Sequence, residues 1–212
     1  MYISNPNAPD ISYPYVNIDS TTPEGISRAK SLGFAESELA DVVYSPLLFE
    51  TNDLFTSNAR GRLFSVFRHP VQRAISMFFY LRVAEWEPTY SPEMKNWTIL
   101  DYAKSRKADH NWMTRKLSNQ LGSTLLASDL EKAKEVLRTK FIVGLLSNID
   151  QSMSRFERFF QWTYHDNPTN QEACRERLMN QGANSNKKNK EPVDESHPAW
   201  NMLALNNEFD ME

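Results

Sequence analysis

Only one cysteine, Cys174, occurs in the 212 residues, so no disulfide closes within the chain and a cysteine-based zinc site is excluded. No His/Cys/Asp cluster stands at ligand spacing either, so no metal is expected. Neither sign of charge dominates. Lys and Arg number 24 against 27 Asp and Glu, a net charge of −3, which argues against nucleic acid as a partner and confines any anion site to a local cluster. No apolar run approaches the ~20 residues that span a bilayer, so no transmembrane segment is expected in this chain. The opening MYISNPNAPDISYPYVNID has no basic start followed by an apolar core, so it is not a signal peptide. Pro6, Pro9 and Pro14 interrupt any regular element there, which makes residues 1–20 an irregular N-terminal segment. Internal repeats are absent, and the single biased tract is QGANSNKKNKEP at 181–192.

What is present suits a folded domain. Hydrophobic residues make up 40% and charged residues 24%, and the length allows one sizeable core over residues 21–212. Thr22-Pro23-Glu24 reads as a helix start, ending near Gly33. Asp41 to Tyr44 reads as a short strand stopped by Pro46. Arg62 to Phe67 is a stronger strand, apolar on both faces as a buried parallel sheet requires. Pro70 then opens a helix to about Val83, with Val71, Ile75, Phe78 and Phe79 as a buried stripe and the two phenylalanines against the sheet. EWEPTYSPEMKNW is a connection. Helices follow from Thr98, over Asn111–Leu121, and from a capping box of Ser128 with Glu131 to Lys140. Phe141 to Leu145 is a further strand, and Asn148 caps a helix through Phe160 whose apolar face carries Met153, Phe156 and Phe160. Strands alternating with helices imply an α/β fold with a central, mainly parallel sheet, whose ligands gather at the carboxyl ends of the strands.

The chemistry concentrates there, in RLFSVFRHPVQRAISMFFYL, residues 62–81. Arg68 and His69 lie where strand becomes helix, beside free N–H groups and the positive end of the helix dipole. Arg73, Ser76 and Tyr80 share another helix face. Two arginines and a serine near one helix start suit a phosphate, which a guanidinium holds bidentately. Arg-His-Pro after a strand also suits ordinary loop chemistry, and Ser76 a tolerated helical serine. Spacing alone leaves the two readings level.

The segment resembles the 3′-phosphate-binding motif of PAPS-dependent sulfotransferases, R-D/H-P-x-x-R-x-x-S, with Arg68, Pro70, Arg73 and Ser76 in order and spacing. That resemblance implies a P-loop-type three-layer fold in which Arg68 and Ser76 hold the 3′-phosphate of PAPS and Arg73 supports them. Asn111-Trp-Met-Thr-Arg-Lys-Leu resembles the N-x-x-T-R-x-L segment of the Golgi carbohydrate sulfotransferases, the branch that includes the heparan sulfate O-sulfotransferases, and residues 130–160 resemble the helix–strand–helix that follows. NSNKKNKEP resembles that branch's basic loop, and Asn207–Glu212 the start of its closing helix. On this reading Arg115, Lys187, Lys188 and Lys190 help close the site, although a solvated polar loop accounts equally well for each lysine. The expected activity is transfer of a sulfuryl group from PAPS to a hydroxyl, on a carbohydrate acceptor. A Golgi lumen location is suggested by the resemblance alone.

Two of the family's parts have no counterpart. The phosphosulfate loop, K-x-G-S/T-S/T after the first strand, is missing from the residues before Arg68, where Gly25, Gly33 and Gly61 lack the lysine and hydroxyl partners. Leu121-Gly-Ser-Thr has no close lysine and lies on the wrong side of the motif. The stretch where many members carry a histidine base, Val43 to Glu50, has none. Glu50 is the candidate base there, as some branches use glutamate, though a solvated surface residue fits as well; His110 is another. The chain is thus expected to be an incomplete sulfotransferase-like domain lacking the first strand and its loop. The alternative is a non-catalytic remnant that keeps the 3′-phosphate site. A nucleotide-kinase-like fold needs the same missing loop.

Overall fold

Residues 16–87, 89–162, 168–177 and 193–212 are described by the computed structural model, and the chain divides into two units, Met1–Arg62 and Leu63–Glu212.

In the first unit, the Thr22 hydroxyl accepts the Gly25 N–H at 3.1 Å and Pro23 takes the first helical position, so α1 runs Pro23–Ser31. It ends where Gly33 turns left-handed (φ +63°), with Gly33 N–H donating to Lys30 O and Phe34 N–H to Ala29 O. This is the double bond that a glycine stop allows. A short helix, α2, spans Leu48–Asn52. Ile26, Ala29 and Leu54 are buried together, with Ile18, Phe34, Val43, Leu47 and Phe55 around them. The strand expected over 41–44 does not form. Serine hydroxyls hold the backbone instead: Ser20 Oγ donates to Tyr44 O and Ser45 Oγ to Ser20 O, both at 2.6 Å.

The second unit mixes helices with a small parallel sheet. In order come β1 (Leu63–Phe67), α3 (Pro70–Leu81), a 3-10 turn at Pro92–Asn96, α4 (Ile99–Lys104), α5 (Trp112–Ser118), α6 (Ala127–Lys140), β2 (Phe141–Leu145), α7 (Ile149–Phe160), α8 (Pro168–Glu176) and α9 (Pro198–Asn206). β1 and β2 pair in parallel, from Leu63 with Phe141 to Phe67 with Leu145. Helix α7 lies on this pair, with the Phe64 ring edge-on to Phe156, Phe160 and Trp162 at 5.2–5.6 Å. Gly144 permits the approach: a Cβ there would sit 2.7 Å from the Phe156 ring.

Several expectations are corrected. The strands are not buried on both faces: Val66 is 39% and Leu145 47% exposed, because the described residues supply only two strands and few elements to cover them. Phe78 and Phe79 do not face the sheet. They join a helical cluster with Met94, Ile99, Tyr102, Ala103, Ala199 and Leu203, where the Phe78 ring lies 5.2 Å from Tyr102, because α4 and α9 offer α3 the larger apolar surface. Ser128 does not cap α6, which starts a residue earlier; the Asp129 carboxylate accepts the Leu126 N–H at 2.9 Å. Asn148 occupies the cap position of α7 without a side-chain bond. Phe78 is 1% exposed, so Phe78→Ala is expected to cost about 3–5 kcal/mol, read from urea denaturation. An unchanged midpoint would show that this cluster is not the core of the unit.

Candidate functional site

Arg68 is the residue immediately after β1, at the carboxyl end of both parallel strands. Its side chain is half-buried, and among the described residues it makes no hydrogen bond or ion pair. Burial alone pushes its guanidinium pKa down from the ordinary value. Arginine does not neutralise itself in proteins, so the fold holds a partly dehydrated cation without a counter-ion among the described residues. A partly dehydrated cation of this kind costs the fold free energy unless an anion meets it.

His69 follows at the cap position of α3 with its ring stacked on Trp200 at 5.4 Å, and it makes no capping hydrogen bond. Pro70 supplies no N–H. The first-turn donors of Val71 and Gln72 therefore stay without a side-chain cap, beside Arg68. The buried face of α3 carries Val71, Ala74, Phe78 and Leu81. At 100° per residue Ser76 falls on the opposite side, with Gln72 one turn before it and Tyr80 one turn after. Ser76 is half-buried, and its hydroxyl has no partner among the described residues. Of the motif's Arg68, Arg73 and Ser76, Arg68 and Ser76 thus have no side-chain partner among the described residues.

The other arginines are committed. Arg73 Nη2 lies 2.9 Å from Asp109 Oδ2, with side-chain exposures of 16% and 14%, and its guanidinium sits 4.6 Å over the Trp112 ring. Burial pushes the Asp109 carboxyl up, and Arg73 pulls it back. Arg73 therefore ties α3 to the loop before α5. Arg115 clamps its own neighbourhood, donating from Nε to His110 O and from Nη1 to Gln120 O and Ser123 O.

The N-x-x-T-R-x-L positions are structural in the same way. Asn111 takes a left-handed conformation (φ +54°), its Oδ1 accepting Phe209 N–H at 2.9 Å and its N–H donating to Asn207 Oδ1 at 2.9 Å. Asp210 accepts the Met113 and Thr114 N–H groups at 3.0 and 2.7 Å, capping α5 from far along the chain. Residues 207–211 are consequently turns and not the start of a helix. Sequence reasoning missed Asp109, Asn207 and Asp210, because each partner is remote or on another element; the acidic residue before a motif of three polar positions was the available hint.

Glu50 is exposed in the first turn of α2, in the first unit, and no hydrogen bond engages its carboxylate among the described residues. His110 is exposed and meets Arg115 only through its carbonyl. His197 caps α9, its Nδ1 accepting the Ala199 N–H at 3.1 Å. Lys187, Lys188 and Lys190 lie outside the described residues, as does His165. Among the described residues no three His, Cys, Asp or Glu side chains are grouped to hold a metal ion, and no helix is long and apolar enough to cross a membrane. No protein-family model, no curated protein and no solved structure matches this chain.

Proposed function

We propose that this chain is a sulfotransferase-type domain of the P-loop, three-layer class, whose Arg68 and Ser76 hold the 3′-phosphate of PAPS. One observation carries the reading: a half-buried arginine at the carboxyl end of a parallel strand, followed on α3 by a half-buried serine hydroxyl, neither with a partner among the described residues. Two guanidinium N–H groups and one hydroxyl match the three acceptor oxygens of a phosphate monoester. The N–H groups of Val71 and Gln72 add the helix-terminal field. PAPS, when bound, supplies the sulfuryl group and an adenosine bisphosphate leaving group. The residues of this chain anchor and orient the nucleotide, and catalysis is mostly positioning and charge stabilisation. Arg73, fixed by Asp109, supports the site by holding α3 in place.

A second reading, a non-catalytic nucleotide-binding domain, is favoured by the lack of any K-x-G-S/T-S/T loop in the 212 residues. Both readings share the 3′-phosphate site. Calorimetry on the full chain is expected to show tighter binding of adenosine 3′,5′-bisphosphate than of adenosine 5′-phosphate. Equal affinities would remove the central claim. Arg68→Ala is expected to weaken bisphosphate binding by about 2 kcal/mol or more, because it deletes a charge-assisted pair, and Ser76→Ala by about 1 kcal/mol, because one neutral donor is lost.

A further inference from the structure

The connection after α3 holds an exposed aromatic ring in a fixed setting. Trp86 is 73% exposed, yet its indole Nε1–H donates to Tyr80 Oη at 3.1 Å, and that hydroxyl donates to Glu87 Oε1 at 2.5 Å. The two rings meet edge to face, 6.3 Å between centres. With the Nε1 edge fixed and most of the side chain in water, at least one face of the indole is open. A lone exposed apolar side chain is ordinary; one anchored by a two-step hydrogen-bond chain has already lost the rotamer freedom that binding would otherwise take from it.

The charges nearby are balanced. Glu85 takes Lys95 at 2.6 Å and the Tyr90 hydroxyl at 3.4 Å, and Arg82 donates to Lys95 O at 2.9 Å. Glu87 is the exception: no cation pairs with it among the described residues, and its second carboxylate oxygen has no partner there. An open indole face thus stands beside an unfilled acceptor. Tyr80 also lies four residues after Ser76 on the same side of α3, about 6 Å along the axis, so this aromatic group continues from the proposed nucleotide site.

We infer that Trp86, positioned by Tyr80 and Glu87, is a stacking subsite for an uncharged sugar ring of the acceptor, an inference that rests on the sulfuryl-transfer reading above. The C–H face of a pyranose is apolar and weakly positive, which suits the negative face of an indole. Its equatorial hydroxyls leave sideways as donors, which suits the free oxygen of Glu87. A uronate or sulfate group there would meet the Glu87 charge, so the ring bound at Trp86 carries neither. A proline-rich peptide would also cover the indole, but it has no hydroxyl donors for Glu87.

Chitotetraose, an uncharged oligosaccharide, titrated into the full chain tests this through the Trp86 indole N–H resonance, identified by its loss in Trp86→Ala. A saturable shift is expected. Affinity, read for every variant by calorimetry, is expected to fall by about tenfold or more in Trp86→Ala, which removes a central aromatic anchor. It should fall less in Tyr80→Phe, which keeps the ring and frees the indole. Adenosine 3′,5′-bisphosphate binding should be unchanged in both variants, whereas Arg68→Ala should lose the nucleotide and keep the sugar. The nucleotide and sugar sites therefore fail separately. Absence of any shift, sugar affinity retained in Trp86→Ala, or a stronger response to a heparan tetrasaccharide or a polyproline peptide would each overturn the assignment.

Discussion

Asp109→Ala is expected to destabilise the protein by about 3–5 kcal/mol, because it leaves the Arg73 guanidinium buried without its counter-ion. The Trp112 face, 4.6 Å away, is a weak substitute. Arg73→Ala should be comparably damaging, for the mirror reason: Asp109 is already pushed toward its neutral form by burial, and Arg73 is what pulls it back. Replacing both residues together should cost less than the sum of the single changes, as expected of a coupled pair. Urea denaturation of the four proteins checks this. Losses below about 1 kcal/mol would place the pair among ordinary surface ion pairs. The same variants separate the two arginines of the motif. Arg73→Ala should lower the denaturation midpoint while the folded fraction keeps its nucleotide affinity. Arg68→Ala should do the reverse, because removing an unpaired, half-dehydrated cation relieves the fold as it weakens the ligand.

The second large effect is on turnover. Residues 1–212 alone are expected to bind adenosine 3′,5′-bisphosphate yet to transfer no sulfate above background. A sulfuryl group in transfer builds negative charge on its oxygens, which a lysine and a cradle of backbone N–H groups must meet. Loss of one such donor costs roughly 10²–10³ in rate, and the 212 residues contain no K-x-G-S/T-S/T loop to supply any of them. The proposed 3′-phosphate anchor is independent of that loop, because Arg68 and Ser76 stand at the end of β1 and on α3. Supplying a segment that carries the loop should restore transfer. Detectable transfer from radiolabelled PAPS to a carbohydrate by residues 1–212 alone would overturn this account of what the loop provides.

Local signals carried the elements well where a strong local cause exists. Thr22-Pro23 and Gly33 bounded α1 because capping and a left-handed stop act within four residues. The apolar runs 63–67 and 141–145 appeared as strands, and Pro70 opened α3. Failures came where a remote partner decides. Asp41–Tyr44 looks extended and apolar, yet the Ser20 hydroxyl takes the Tyr44 carbonyl, and the Ser45 hydroxyl the Ser20 carbonyl, in place of a neighbouring strand. Phe78 reads as buried on periodicity, but which surface buries it depends on Tyr102 and Leu203, far along the chain.

By itself, then, the sequence determined where Arg68 and Ser76 stand, after a strand and along the helix behind it, since both positions follow from local propensity and spacing. It could not rank the arginines. Arg68, Arg73 and Arg115 are alike as letters, and only the tertiary structure shows Arg73 closed on Asp109, Arg115 on three carbonyls, and Arg68 with no partner among the described residues. The reason is physical: whether a cation stabilises the fold or waits for a ligand depends on which acceptors the chain brings within about 3–4 Å of it, and those acceptors come from segments whose approach no local pattern encodes.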